Sequence, residues 1–266
     1  MNDPVLAVAV RAARNAGAVI VDAARDLRRL ATFSREHGAI VSAADAEARS
    51  AIITTLASAF PDHAVVGEDG IATRLNQGST YRWIIDPIDG TANFAHGYPF
   101  YAVSIALAHG AELTHAVVLD PLRDELFTAL KGRGALLNGV ALRVSACTSI
   151  DKALIGTVFP ARESPRLGVY LPMLHAVMAR CAGIRRAGTC SLDLAYVAAG
   201  RLDGFWAIGL TNRDIAAGAL LVHEAGGRVG DFAGGAEFLK SNEILAAAPG
   251  VFSTLREAIA GSQRGA

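Results

Sequence analysis

Apolar residues recur along residues 4–30 at Val5, Ala9, Ala12, Ala16, Val19, Ala23 and Leu27. Steps of three and four place them on one stripe of a helix, with Arg11, Arg14, Arg25 and Arg28 around it. A second helix is predicted over residues 45–60, where Ala48, Ile52 and Leu56 share a face and Pro61-Asp62 ends the run. The pattern then changes to short apolar runs at 64–67, 82–86, 102–108, 115–119, 125–129 and 135–137, punctuated by Gly, Pro, Asp and Asn, as strands are. GRGALLNG, residues 132–139, predicts a hairpin. Further on the two periods alternate. Strands are predicted at 154–158, 204–208, 227–230 and 244–247, and helices at 168–182, 191–199, 214–225 and 249–260. This alternation predicts an α/β layered C-terminal half, residues 146–266. It is joined to an N-terminal half, residues 1–145, of helices and mostly antiparallel sheet, and the two form one compact unit.

Composition narrows the function classes. With 52% hydrophobic and 19% charged residues, the 266-residue chain can bury a large core. Lys plus Arg equals Asp plus Glu at 25 each, so no broad field draws a polyanion, and direct nucleic-acid binding is not expected. Cys147, Cys181 and Cys190 are odd in number and lack CxxC spacing, which argues against a disulfide framework or zinc site and for buried thiols in a reducing, cytoplasmic setting. Asp3 and Arg11 interrupt the N-terminal pattern where a signal peptide would not, and no uninterrupted apolar run reaches bilayer length, so no membrane contact is expected. A nucleotide-binding P-loop, a complete GxGxxG, a GxSxG elbow and an HExxH are all absent; His223-Glu224 is followed by Ala-Gly-Gly.

The chemistry concentrates in acidic residues. WIIDPIDGT at 83–91 runs an apolar strand into Asp86 and Asp89, with Pro87 stiffening the backbone between them and Gly90 permitting a tight turn. Alone, this is also an ordinary strand-to-loop turn. Glu68 ends another apolar run, and Asp214 opens a small-residue helix, where an N-cap role is the plain alternative. Together these carboxylates are hard oxygen donors suited to Mg²⁺ and not to zinc or copper. Like charges held that close call for a cation or a proton between them.

FPDHAVVGED at 60–69, DPIDGTANF at 86–94, GYPFYAVSIAL at 97–107, RAGTCSLDLAYVAAG at 186–200 and RDIAAG at 213–218 resemble, in order, the motifs of the inositol monophosphatase family over nearly the whole chain. The resemblance implies a five-layered αβαβα sandwich of the inositol monophosphatase and fructose-1,6-bisphosphatase type. It implies a lithium-sensitive phosphomonoesterase with two or three Mg²⁺ ions, acting on inositol monophosphate. Histidinol phosphate, a sugar phosphate or a 3′-phosphonucleotide are the alternative substrates. By the same resemblance Glu68, Asp86 and the Ile88 carbonyl hold one metal, and Asp86, Asp89 and Asp214 a second. Asp45 and Thr91 polarise the attacking water. Ile88, Asp89, Gly90, Thr91, Arg185, Gly188, Thr189 and Asp214 meet the substrate, the Gly90 and Thr91 amides from the start of a short helix at 91–95. Arg185-Arg186 reads equally as a solvated turn. A homodimer is implied. A regulatory contact with the transcription machinery, known for some bacterial relatives, is the reading of another class.

Four places depart from the family pattern. Arg213 stands before Asp214 where Trp is usual, Ala207 where Glu is common, Gly188-Thr189-Cys190 where Gly-Ser/Thr-Ala is usual, and the segment 32–38 lacks a clear match to a family lysine. A missing carboxylate at 207 predicts a roomier, less polar leaving-group side and modest substrate selectivity.

Overall fold

The computed structural model describes residues 3–29, 35–66, 78–161 and 163–262. Helices α1 (Pro4–Arg29) and α2 (Arg35–Ala59) pack along each other. Ala9, Ala12, Ala13, Ala16 and Ile20 of α1 are wholly buried, as are Ala48, Ile52 and Leu56 of α2. The alanines let the helices approach closely. At Gly17 even a Cβ would lie 2.9 Å from Leu119 Cδ2. Against the expectation from its interrupted pattern, α1 over Pro4–Leu27 is long and apolar enough by length and composition to cross a membrane. Its apolar stripe is instead covered by α2 and the first sheet.

That sheet runs in the order β1 (Ala64–Val66), β2 (Tyr81–Asp89), β3 (Ala102–His109), β4 (Glu112–Asp120), β5 (Glu125–Leu130), β6 (Ala135–Leu137) and β7 (Val140–Ala141). Every neighbour pair is antiparallel except β1 with β2. Period-2 alternation sorts its faces. Trp83, Ile85, Val103, Ile105 and Leu107 face α1 and α2; Ile84, Ala102, Ala106, Ala108 and Ala116 face the middle layer. The second sheet has the order β11 (Arg228–Gly230), β12 (Glu243–Ala247), β10 (Gly204–Ile208), β8 (Leu154–Thr157) and β9 (Gly183–Arg185). Here β8 is parallel to β9 and β10, and β12 is antiparallel to β10 and β11.

Between the sheets lie α5 (Cys190–Ala198) and α6 (Asn212–Glu224). On the far side of the second sheet lie α4 (Leu167–Met178) and α8 (Pro249–Ser262). The layers are therefore αβαβα. Small residues on both sides of the middle layer make it thin. A Cβ on Gly218 of α6 would fall 2.4 Å from Leu194 Cβ of α5, so only glycine permits this crossing.

Some predicted boundaries move. Helix α2 starts at Arg35, ahead of its clear apolar stripe. The helix expected over 168–182 stops at Met178, and Gly183–Arg185 form the edge strand β9, too short to display a period. The short elements β7 and α7 (Phe238–Ser241) went unpredicted for the same reason. All three cysteines are free, but only Cys190 is fully buried; Cys147 and Cys181 are half-buried.

Candidate active site

Strand β2 carries the acidic pair. It continues through Pro87 to Asp89, with a register shift between Asp86 and Asp89. Proline is tolerated because β1 pairs with β2 only as far as Ile84, leaving that edge free of a ladder partner among the described residues. The irregularity brings Asp86 and Asp89 onto the middle-layer side, each only 7% exposed. Gly90 follows at φ 91°, where a Cβ would meet Thr189 Oγ1 at 2.5 Å and the Phe100 carbonyl at 3.1 Å. The short helix α3 (Thr91–Ala95) then begins, as predicted.

Burial dominates the electrostatics of the pair. It pushes the Asp86 carboxyl well above the usual range, and Asp89 raises it further; Arg213 opposes this, while Asp214 and Asp45 add to it. Burial likewise lifts Asp89 to about 7, against the pull of hydrogen bonds from Ser191 and with a further push from Asp214. Asp89, Asp214 and Asp45 therefore all bear on Asp86 as a negative field, with Arg213 as its local cation.

Their individual contacts are specific. Asp89 Oδ2 accepts from Ser191 N at 2.7 Å and Ser191 Oγ at 2.5 Å, at the start of α5. Asp214 Oδ2 accepts from Thr211 N at 2.6 Å and Thr211 Oγ1 at 2.9 Å; the N-cap expected at Asp214 is Thr211 instead, and Asp214, at the third position of α6, closes a capping box with it. Arg213 Nε lies 3.8 Å from Asp214 Oδ1. Asp45 on α2 accepts from Arg49 Nη2 at 2.8 Å. Thr91 Oγ1 donates to the Ile88 carbonyl at 2.9 Å, while the Ile88 side chain is buried toward α1 and α2. Glu68 lies outside the described residues.

The substrate-side segment is held from beneath. Asn93 Nδ2 donates to the Phe100 carbonyl at 2.7 Å and the Ala187 carbonyl at 2.8 Å, joining the first sheet's loop to the strand leading into α5. Thr189 is wholly buried, and its hydroxyl donates to the Phe100 carbonyl at 2.9 Å; this side chain faces the protein, not a ligand. Gly188 takes φ 92° above Asn93. Arg185 ends strand β9, is exposed and donates from Nη1 to the Ile184 carbonyl, while the Arg186 guanidinium lies 4.9 Å over the Phe159 ring. Ala207 exposes no surface and packs in the middle-layer core. The roomy leaving-group side expected there is therefore not found at this position.

Do these residues suit a divalent cation? Among the described residues no three His, Cys, Asp or Glu side chains are gathered tightly enough to form a metal cluster. The donor chemistry nonetheless fits. All the acidic groups are hard oxygen donors, two of them are buried with raised pKa, and a cation bound between them would offset the cost of ionising both. The candidate nucleophiles are sequestered: the Cys190 thiol is buried and pushed well up, and the Ser191 hydroxyl is committed to Asp89. The sequence reading missed Asn93, Ser191 and the buried Asp193. All three sit inside the quoted motifs, which was the only signal available.

The layered fold and the buried acidic pair define a class of protein: the chain belongs to the inositol monophosphatase family, whose model matches residues 1–264. Among its relatives is the Nus factor SuhB of Pseudomonas aeruginosa, 49% identical over 255 residues, covering 95% of this chain and 94% of that protein. The Nus factor SuhB of Escherichia coli is 40% identical over 252 residues, again covering 95% and 94%. The inositol monophosphatase of Anabaena superposes with a TM-score of 0.85 at 33% identity, covering 96% of this chain and 95% of that one. The extragenic suppressor protein suhB of Bartonella henselae gives 0.84 at 40%, covering 98% and 100%.

Proposed function

We propose that the chain is a Mg²⁺-dependent phosphomonoesterase that hydrolyses inositol monophosphate or a related small phosphate ester. The observation that carries this reading is the buried pair Asp86 and Asp89, whose raised pKa values mark a place prepared for positive charge. Bound Mg²⁺ would neutralise the phosphate dianion and lower the pKa of water. Asp86, Asp89, Asp214, the Ile88 carbonyl and Glu68 would hold it. Ser191 fixes the rotation of the Asp89 carboxylate by two hydrogen bonds, so that its other oxygen keeps one direction. Asp45 and Thr91 orient the attacking water, whose proton moves toward the Asp45 carboxylate as the new P–O bond forms. The ester P–O bond breaks, and the departing alkoxide takes a proton from a solvent water on the Asp214 side. Positioning and charge stabilisation supply most of the catalysis in such transfers.

The test is phosphate release from inositol 1-phosphate, glycerol 2-phosphate, histidinol phosphate and 3′-phosphoadenosine 5′-phosphate. Turnover with Mg²⁺ that vanishes with chelator is expected. No turnover of any of the four would remove the enzymatic reading.

A second reading stands beside it. Relatives at 49% and 40% identity carry the name Nus factor, which supports a contact with the transcription machinery. Co-elution of the purified chain with RNA polymerase and its elongation factors would support that contact, and separate elution would count against it. The same family reading carries a homodimer. Tyr98, Phe159, Leu171 and Met178 are exposed apolar side chains of the kind a second copy would cover.

A further inference from the structure

A cavity of about 620 Å³ opens beside the acidic site. It is lined by Arg82 and Ile84 of β2, by Asn212 and Arg213 at the start of α6, and by Glu237, Leu239 and Lys240 at and around α7. Ile84 and Asp86 are two residues apart on the same face of one strand, so the cavity begins roughly 7 Å from the acidic pair.

The charge changes sign over that distance. The cavity is bordered by Arg82, Arg213 and Lys240 against one carboxylate, Glu237, an excess of two positive charges. The chain as a whole is neutral, so this excess is local. Each cation has a partner. Arg82 Nη2 is tethered to the Gly110 carbonyl at 2.6 Å, Lys240 Nζ lies 2.6 Å from Glu237 Oε2, and the Arg213 side chain is three-quarters buried with Nε 3.8 Å from Asp214 Oδ1. Ile84 and Leu239 give the same cavity an apolar side on which a carbon skeleton can rest.

We propose that this cavity is a second anion subsite, so that the preferred substrates are phosphate monoesters carrying another phosphate about 7 Å from the first. Arg213 is the nearer reader of that second phosphate, with Lys240 and Arg82 behind it. The proposal rests on the phosphomonoesterase reading and narrows its substrate class. It also gives Arg213 a role next to Asp214 that an apolar residue there could not fill.

The test uses a matched, non-hydrolysable pair: butane-1,4-bisphosphonate and butylphosphonate, titrated calorimetrically into the full chain with Mg²⁺ present. The bisphosphonate should bind wild type at least about tenfold more tightly than the monophosphonate, a gain within reach of one charge-assisted bidentate contact. Arg213→Gln should bring the ratio close to one, and Lys240→Ala should reduce it. Lys240 has an exposed side chain, 80% accessible, so that variant carries the test if Arg213→Gln does not fold. Equal affinities in wild type, or a ratio untouched by both substitutions, would overturn the subsite. If neither ligand responds to Mg²⁺, the phosphatase reading fails separately, and the ratio still decides the subsite.

Discussion

Asn93 receives two backbone carbonyls from distant parts of the chain on one amide nitrogen. A side-chain amide can serve both; a carboxylate can serve neither. Asn93→Ala leaves the Ala187 carbonyl without this donor and should cost about 1–3 kcal/mol in urea unfolding. Asn93→Asp should be worse, because a carboxylate would face two carbonyl oxygens. The loop held here runs through Gly188 into the amides that grip Asp89, so kcat should fall in Asn93→Ala by more than KM rises. A variant with wild-type kcat would mean that the clamp does not position the site.

At the scale of elements, the site is made by the ends of three of them. Strand β2 supplies Asp86 and Asp89, α5 starts at the residues that hold Asp89, and α6 starts beside Asp214. Their relative placement depends on the α5–α6 crossing at Gly218. Gly218→Ala should force these helices apart, lowering stability by about 1–3 kcal/mol, as overpacking does. It should also reduce phosphate release, since both helix starts carry site residues. Thermal melting and turnover of the purified variant check this, and unchanged melting would contradict the packing account. The elements themselves were largely legible. Strands β6 and β10 match their predicted bounds, and α1, α3, β3, β5 and α8 match within a residue or two, because apolar alternation and Gly or Pro punctuation are local signals. Strand β9 and helix α7 were not legible, being too short for a period. Asp86, Asp89 and Asp214 were recognisable as acidic motifs, but the bonds from Ser191, Asn93 and Thr189 were not. Those bonds join residues up to 102 positions apart, and no local pattern encodes such a meeting.

At the scale of the whole molecule, the five layers bring carboxylates from β2, α2 and α6 into one field and leave the basic cavity beside it. Ionising groups buried in this way is costly unless a cation is bound there, and without one they hold protons instead. Bound Mg²⁺, in the proposed reading, would contribute to both stability and turnover. The most direct measurement is phosphate release from inositol 1-phosphate by wild type and Asp89→Asn, with Mg²⁺ binding followed calorimetrically and folding by circular dichroism on the same samples. Wild type should bind Mg²⁺ and turn over only when it is present. Asp89→Asn should stay folded, bind Mg²⁺ more weakly and lose at least about a hundredfold in kcat, roughly 2.7 kcal/mol of transition-state stabilisation. A folded Asp89→Asn enzyme with undiminished Mg²⁺-dependent turnover would contradict the account.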